Sequence, residues 1–198
     1  MQINVGTVPG QVAEAEVLVD LDGNPIAFGS NNTTPTYTYQ AFDIAPHALA
    51  TDLVQLIGSA TKTIKITRIQ ISADASSVGE IDFYIYKRSA LNTGGTSTHP
   101  TPLKYDSTNS NSTATLNVYS ANPSALGAGI LFYGTQYIIP GTGGNTWLAN
   151  VPVIVDYGTR NTQPIILRNA NESIAISLNG QTIPSGMGMY VNIEWTEE

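Results

Sequence analysis

The stretch Glu80–Arg88, which reads EIDFYIYKR, decides the fold class because its side chains alternate in polarity. Apolar side chains stand at the odd positions: Ile81, Phe83 and Ile85. Polar or amphipathic side chains stand at the even positions: Asp82, Tyr84, Tyr86 and Arg88. Since successive side chains of a β-strand point to opposite faces, the stretch predicts a strand with one buried face and an outer face that carries two tyrosines.

The same two-residue period recurs along the chain. Residues 147–157 and 187–195 repeat it, whereas the phase slips in 62–72, which predicts a β-bulge near Thr67 and Arg68 or a strand covered on both faces. Shorter candidate strands are 53–57, 114–119, 130–139, 164–168 and 173–178. No stretch has helical spacing over the length that a stable helix needs. The pattern predicts an all-β protein, a β-sandwich of jelly-roll type.

The chain divides into an N-terminal arm, residues 1–46, and a β-sandwich body, residues 47–198. In the arm, 15–21 and 25–28 are predicted to pair as a hairpin around Asp22-Gly23-Asn24. The polar stretch that follows has too little apolar content to pack by itself. We therefore expect an extended arm that orders against a partner or against the body.

Two loops stand out in the body. Residues 91–112 are polar and long, which predicts a mobile surface excursion. Residues 141–145 read GTGGN and predict a tight glycine-rich turn. The Gly-rich segments lack the following Lys-Ser/Thr of a phosphate-binding loop, so nucleotide binding is not expected.

Composition and charge exclude several classes of function. The chain has no cysteine, which rules out disulfides and thiolate zinc sites. Its net charge of -7 argues against nucleic-acid binding, and residues 1–61 contain six acidic but no basic side chains. No stretch is apolar enough to span a membrane, and MQINVGTVPG has neither the basic start nor the apolar segment of a secretory leader. We expect a soluble protein made in a cytoplasm.

Three features suggest chemistry, and each has a simpler interpretation. Asp20–Asn24 begins like a calcium loop, but Pro25 stands where the sharp-turn glycine belongs, so a hairpin turn is preferred. His47 and His99 each adjoin a proline and are interpreted as solvated loop residues. Asp82 suits a glycosidase carboxylate, but no spacing selects its partner, and a cross-strand pairing with Lys or Arg is simpler. No catalytic, cofactor or metal site is predicted.

Apolar and aromatic residues are the candidates for an interface. In the arm hairpin they are Val17, Leu18, Val19, Ile26 and Phe28. Elsewhere they are the tyrosines at i, i+2 spacing: Tyr37, Tyr39, Tyr84 and Tyr86. Tyrosines in such pairs offer a contact platform to a sugar or a protein neighbour, or they simply fill out the faces of a sheet.

Five phrases carry a resemblance to a known family. They read LVQLIGSATKTIKITRIQIS (53–72), YKRSALNTGGTSTHP (86–100), YSANPSALG (119–127), YGTRNTQPIILRNANESIAISLNG (157–180) and VNIEWTEE (191–198). They are distinctive as a set. From about Thr51 onward, over about three quarters of its length, the chain resembles a family of small virion structural proteins found in tailed phages and prophages.

The resemblance implies a non-enzymatic particle component without cofactors. The first expectation is a head decoration or cement protein that contacts the major capsid protein and other copies of itself, as a homotrimer. The alternative is a tail- or fibre-associated module that binds a host surface or glycan. Either role implies localisation in the virion after assembly in the host cytoplasm, with no nucleic-acid or membrane partner.

Overall fold

A computed structural model of the chain describes residues 18–19, 25–26, 34–139, 151–158 and 163–198. The calcium-like loop, the predicted glycine-rich turn and the first part of the predicted strand 147–157 lie outside the described residues. The chain divides into two compact units, Met1–Thr33 and Thr34–Glu198. The described residues contain no helix that could cross a membrane.

The first unit contains a short hairpin. Strand β1 (Leu18–Val19) pairs antiparallel with β2 (Pro25–Ile26), which sets Leu18 opposite Ile26 and Val19 opposite Pro25. This pairing confirms the predicted hairpin at those four positions. The extended arm of which the hairpin was predicted to be part stays a prediction.

The second unit is built from two antiparallel sheets. Its strands are β3 (Thr36–Ile44), β4 (Asp52–Ile57), β5 (Ile64–Asp74), β6 (Gly79–Arg88), β7 (Thr96–Thr98), β8 (Leu103–Lys104), β9 (Thr115–Ala121), β10 (Gly129–Ile139), β11 (Val153–Asp156), β12 (Ile165–Leu167), β13 (Ser173–Ser177) and β14 (Gly188–Glu197). The first sheet has the order β10-β6-β13-β4-β9-β7. The second has the order β11-β5-β14-β3-β8, and β12 also pairs with β5.

The inner faces of the two sheets form one hydrophobic core. On β6 the odd positions Ile81, Phe83 and Ile85 are buried, as the alternation predicts. On β14 the odd positions are buried in the same way, ending with Trp195, whose ring stacks on Tyr37 at a centroid distance of 6.1 Å. Because each sheet buries one face against the other, the fold is the predicted β-sandwich. Its jelly-roll variant stays a prediction.

The phase slip in β5 has the predicted cause. Glu194 of β14 pairs with Arg68, but the next residue, Trp195, pairs with Ile66. Thr67 is therefore the extra residue of a β-bulge, and the inward-facing positions change from even to odd across it. The bulge allows Ile66 and Ile69 both to enter the core.

The predicted boundary between arm and body at residue 46 is wrong. Thr36–Ile44, assigned to the arm, is β3 of the second sheet, where it lies between β14 and β8. Its inward-facing side chains are Tyr37 and Tyr39, which are 0% and 8% exposed. The stretch has few aliphatic residues, but two large aromatic rings give it an apolar face that packs on β14. The compact unit therefore begins at Thr34.

The loop 91–112 is also more ordered than a surface excursion. It contributes β7 to the edge of the first sheet and β8 to an edge of the second. The serine and threonines of β7 and the two residues of β8 form edge pairs without apolar burial, so the sequence lacks the alternation of an inner strand. The segment therefore follows the rim of the sandwich and passes from one sheet to the other.

Candidate interaction surface

The edge strand β10 exposes apolar side chains along its length. Ile130, Leu131, Phe132 and Ile138 are between 46% and 66% exposed. The strand pairs with β6 on one side, and no described strand pairs with its other side. All eleven residues of β10 are uncharged. Natural proteins usually protect an edge strand with charges, prolines or a cover, so an uncharged apolar edge marks an interaction surface. We call these four residues the apolar edge.

A β-bulge shapes the apolar edge. Leu131 pairs with Tyr86, whereas Tyr133 pairs with Ile85, so Phe132 is the extra residue. The ring of Phe132 reaches Tyr157, beyond the end of β11 on the other sheet, at a centroid distance of 5.9 Å. A bulge turns a side chain out of the regular alternation, which places Phe132 at the open side of the sandwich.

A buried ion pair fixes the entry into β10. The Nε and Nη2 atoms of Arg88 each donate to Asp52, and both distances are 2.7 Å. The side chains of Arg88 and Asp52 are 6% and 0% exposed. The third donor of Arg88, Nη1, bonds the carbonyl of Gly127 at 2.7 Å, two residues before β10 begins. Bidentate geometry of this kind makes a strong and specific contact.

Asn92 completes this network. Its Nδ2 donates to Asp52 at 2.8 Å, and its Oδ1 accepts the backbone N–H of Gly127 at 2.9 Å. The segments that follow β6 and that precede β10 are thereby tied to each other and to β4. The position of the apolar edge therefore depends on buried polar contacts that the sequence pattern did not indicate.

A second anchor holds the loop before β9. The carboxylate of Glu197 is 1% exposed and accepts hydrogen bonds from Ser112, Thr113 and Trp195. Burial by itself would raise the pKa of Glu197, but these hydrogen bonds outweigh it and lower the pKa below its ordinary value of 4.5. The carboxylate is fully engaged in holding the loop to β14.

The predicted arm contacts lie largely beyond what the structure describes. Leu18 and Val19 belong to β1 and Ile26 belongs to β2, in the first unit. Val17 and Phe28 lie outside the described residues. The use of these residues as an interface stays a prediction.

The four predicted platform tyrosines separate into two pairs. Tyr37 and Tyr39 lie in the core, so the expectation that they form a surface platform is wrong. Tyr84 and Tyr86 lie half-buried on the outer face of β6, with ring centroids 6.2 Å apart. Both have partners within the chain: the hydroxyl of Tyr84 donates to Asp82 at 3.2 Å, and the guanidinium of Arg88 lies 4.9 Å from the ring centroid of Tyr86.

The remaining candidates for chemistry have structural partners. His47 is half-buried rather than solvated and bonds the Oδ1 atom of Asn122 at 2.7 Å, while His99 is exposed and lies 3.2 Å from the carbonyl of Leu116. Asp82 accepts from Tyr84 instead of pairing with Lys or Arg. Across residues 34–139, 151–158 and 163–198, no group of three His, Asp or Glu side chains is placed to hold a metal ion.

A groove of about 350 Å³ crosses the outer face of the second sheet. It lies over β3, β14 and β5 and is bounded by Pro152 near β11. Six side chains give it its chemical character: Gln40, Phe42, Gln70, Ser72, Tyr190 and Asn192. We call it the sheet groove. Sequence reasoning missed it because its residues come from three strands that are distant along the chain.

Comparison of the chain with protein-family models, with curated proteins and with solved structures gave no match. Each of the phrases that resemble phage virion proteins includes part of at least one strand of the sandwich; the first, for example, spans most of β4 and β5. The family assignment therefore remains a prediction from those phrases, and function is inferred from the surfaces described above.

Proposed function

We propose that this chain is a non-enzymatic structural protein of a tailed-phage virion, a decoration or cement protein that stabilises the head shell. The observation that carries the proposal is the apolar edge, four large exposed apolar side chains on an eleven-residue edge strand without charged residues. A protein that works by covering joints between shell subunits needs such a surface, because removing apolar area from water stabilises the joint.

The chemistry of β10 suits two modes of contact. Its outer edge can accept a strand of the major capsid protein, or of a second copy, through main-chain hydrogen bonds. Its side chains supply the apolar area that makes such an addition stable. Assembly with other copies, as the homotrimer expected from the family resemblance, is part of the same proposal.

The test measures binding of the full-length chain to particles of the encoding phage from which its gene has been deleted. Ile138, which is 66% exposed, is replaced by lysine. Burial of an isoleucine side chain contributes about 1.5–3 kcal/mol, so Ile138→Lys is expected to weaken particle binding by about tenfold or more. Leu103→Lys is the matched control, because Leu103 is 60% exposed and lies in β8, at an edge of the second sheet.

Two results would overturn the proposal. One is wild-type affinity of the Ile138→Lys variant for the depleted particles, with Leu103→Lys behaving alike. The other is the absence of the chain from purified wild-type particles, measured by quantitative mass spectrometry. Circular dichroism of both variants verifies that the lysine has not unfolded the sandwich.

The alternative function is a tail- or fibre-associated module that binds a host-surface glycan, and the sheet groove is the observation that favours it. Copy number separates the two roles. A shell protein is present in hundreds of copies per particle and a tail protein in a handful, by the geometry of a closed shell and a single tail. The same mass-spectrometric measurement therefore decides between them.

A further inference from the structure

We propose that the sheet groove is a binding site for a neutral oligosaccharide. The inference deepens the alternative function, since it names the class of glycan that the groove fits. It does not depend on the shell role, because the groove lies on the outer face of the second sheet and the apolar edge belongs to the first. It rests on three properties of the groove: a row of amides whose hydrogen-bonding capacity is mostly unused, an aromatic wall and the sign of the nearby charges.

The amide row runs across three neighbouring strands. In the register of the second sheet, Asn192 of β14 lies opposite both Gln40 of β3 and Gln70 of β5. With strands about 4.8 Å apart, the three side chains cover about 10 Å, a length that suits two linked sugar rings. Each amide offers both a donor and an acceptor, which matches the paired donor and acceptor character of sugar hydroxyls.

Most of this hydrogen-bonding capacity is unused within the chain. Among the described residues, the side chains of Gln40, Gln70 and Ser72 have no hydrogen-bond partner. Asn192 donates from Nδ2 to Thr38 at 3.2 Å, which orients the amide and leaves its Oδ1 atom available. One oriented amide and three available polar side chains together give a site that can fix the orientation of a polar ligand.

The aromatic wall is set by a bulge in β3. Met189 pairs with Ile44 and Val191 pairs with Ala41, so Phe42 and Asp43 together oppose the single residue Tyr190. Asp43 has a φ of 55°, in the left-handed region, which turns the chain at this point.

The bulge leaves Phe42 69% exposed, with its ring edge-on to Tyr190 at a centroid distance of 6.1 Å. An exposed ring face carries partial negative charge and attracts the C–H groups of a sugar ring. Phe42 therefore supplies the stacking surface, and the amide row supplies the hydrogen bonds.

The charges around the groove favour a neutral ligand. None of the residues that line it is charged. At one end, Asp74 accepts the hydroxyl of Tyr190 at 2.9 Å, and the carboxylates of Asp43 and Asp74 both lie against Gly188. The hydrogen bond to Asp74, burial and the two carboxylates all raise the pKa of Tyr190. Two carboxylates next to Tyr190, at this end of the groove, repel sialylated, uronic or phosphorylated sugars.

The test uses the full-length chain, fluorescently labelled, on a printed array that carries neutral oligosaccharides beside sialylated, uronic and phosphorylated ones. The best neutral ligand is then titrated by calorimetry against Phe42→Ala and Gln70→Ala, and each variant is expected to bind about tenfold more weakly or worse. Tyr105→Ala is the matched control, since Tyr105 is an aromatic residue that directly follows β8, is 62% exposed and does not line the groove. It is expected to bind like the wild type.

Three outcomes overturn the inference. The first is that no neutral oligosaccharide on the array binds. The second is that only acidic sugars bind. The third is that neutral binding survives both Phe42→Ala and Gln70→Ala, which would place the site elsewhere. Particle binding through the apolar edge is unaffected by any of these results, so failure here leaves the shell role intact.

Discussion

Replacement of Arg88 by methionine is expected to remove a large part of the stability of the sandwich. Arg88 and Asp52 form a two-point ion pair whose side chains are 6% and 0% exposed. Methionine keeps much of the apolar stem of Arg88 but leaves the carboxylate of Asp52 with Asn92 as its remaining side-chain donor. Removing one partner of a buried pair costs about 3–5 kcal/mol, because the other charge stays buried without its partner.

The measurement is urea unfolding at pH 7 and 25 °C, followed by circular dichroism. Lys65→Met is the matched control, since Lys65 pairs with Glu198 at 2.5 Å, but the two side chains are 30% and 48% exposed. Solvent screens such a pair, so the control should lose no more than about 1 kcal/mol. The Asp52→Asn/Arg88→Met double variant should lose less unfolding free energy than the two single variants lose in total, because the two side chains interact directly.

Equal destabilisation of Arg88→Met and Lys65→Met would contradict this expectation. So would a double variant whose loss of unfolding free energy equals the sum of the two single losses. Asn92→Ala is a milder variant of the same network, and it provides a measurement if Arg88→Met does not fold. It removes the hydrogen bonds that Asn92 makes with Asp52 and Gly127, and we expect a loss of about 1–3 kcal/mol.

Two further predictions concern pH. Because the pKa of Glu197 is lowered in the folded chain, the ionised side chain increases the free energy of unfolding above pH 4.5. This stabilisation is lost as the pH falls through the folded pKa. Glu197→Gln should therefore be less stable than the wild type at pH 7 and should lose less free energy of unfolding on acidification. Urea titrations from pH 6 to pH 3 that show the same dependence of stability on pH in both proteins would refute this. Burial raises the pKa of Tyr157 from 10.0 to about 12. The contribution of the neutral side chain to the free energy of unfolding is therefore complete below pH 10 and is lost as the pH rises through 12. Tyr157→Phe should remove that alkaline loss of stability and match or exceed the wild type at pH 7, because the buried hydroxyl has no hydrogen-bond partner among the residues that the structure describes. Thermal melts from pH 7 to pH 11.5 test both expectations.

Local pattern predicted most of the strands and the face that each one buries. The alternation in β6 and β14 gave the correct inward positions, and the phase slip gave the bulge at Thr67. These features depend on the two-residue period of a strand, which neighbouring residues express without reference to the rest of the chain. The regions where the pattern failed, β3 and the loop that holds β7 and β8, have a weak apolar alternation, so their pairing depends on the strands beside them.

Position within a sheet was decided only by the tertiary structure. The sequence predicts strands at both β6 and β10, yet β6 lies inside the first sheet and β10 at its edge. In the same way, Tyr37 and Tyr84 share the i, i+2 tyrosine spacing, but stacking on Trp195 draws Tyr37 into the core. Edge exposure and the sheet groove arise from pairings between residues far apart in the chain, which a single strand's sequence does not encode. The sequence by itself determined that the chain forms a sandwich of strands, and the long-range pairing of those strands determined which side chains remain open to a partner.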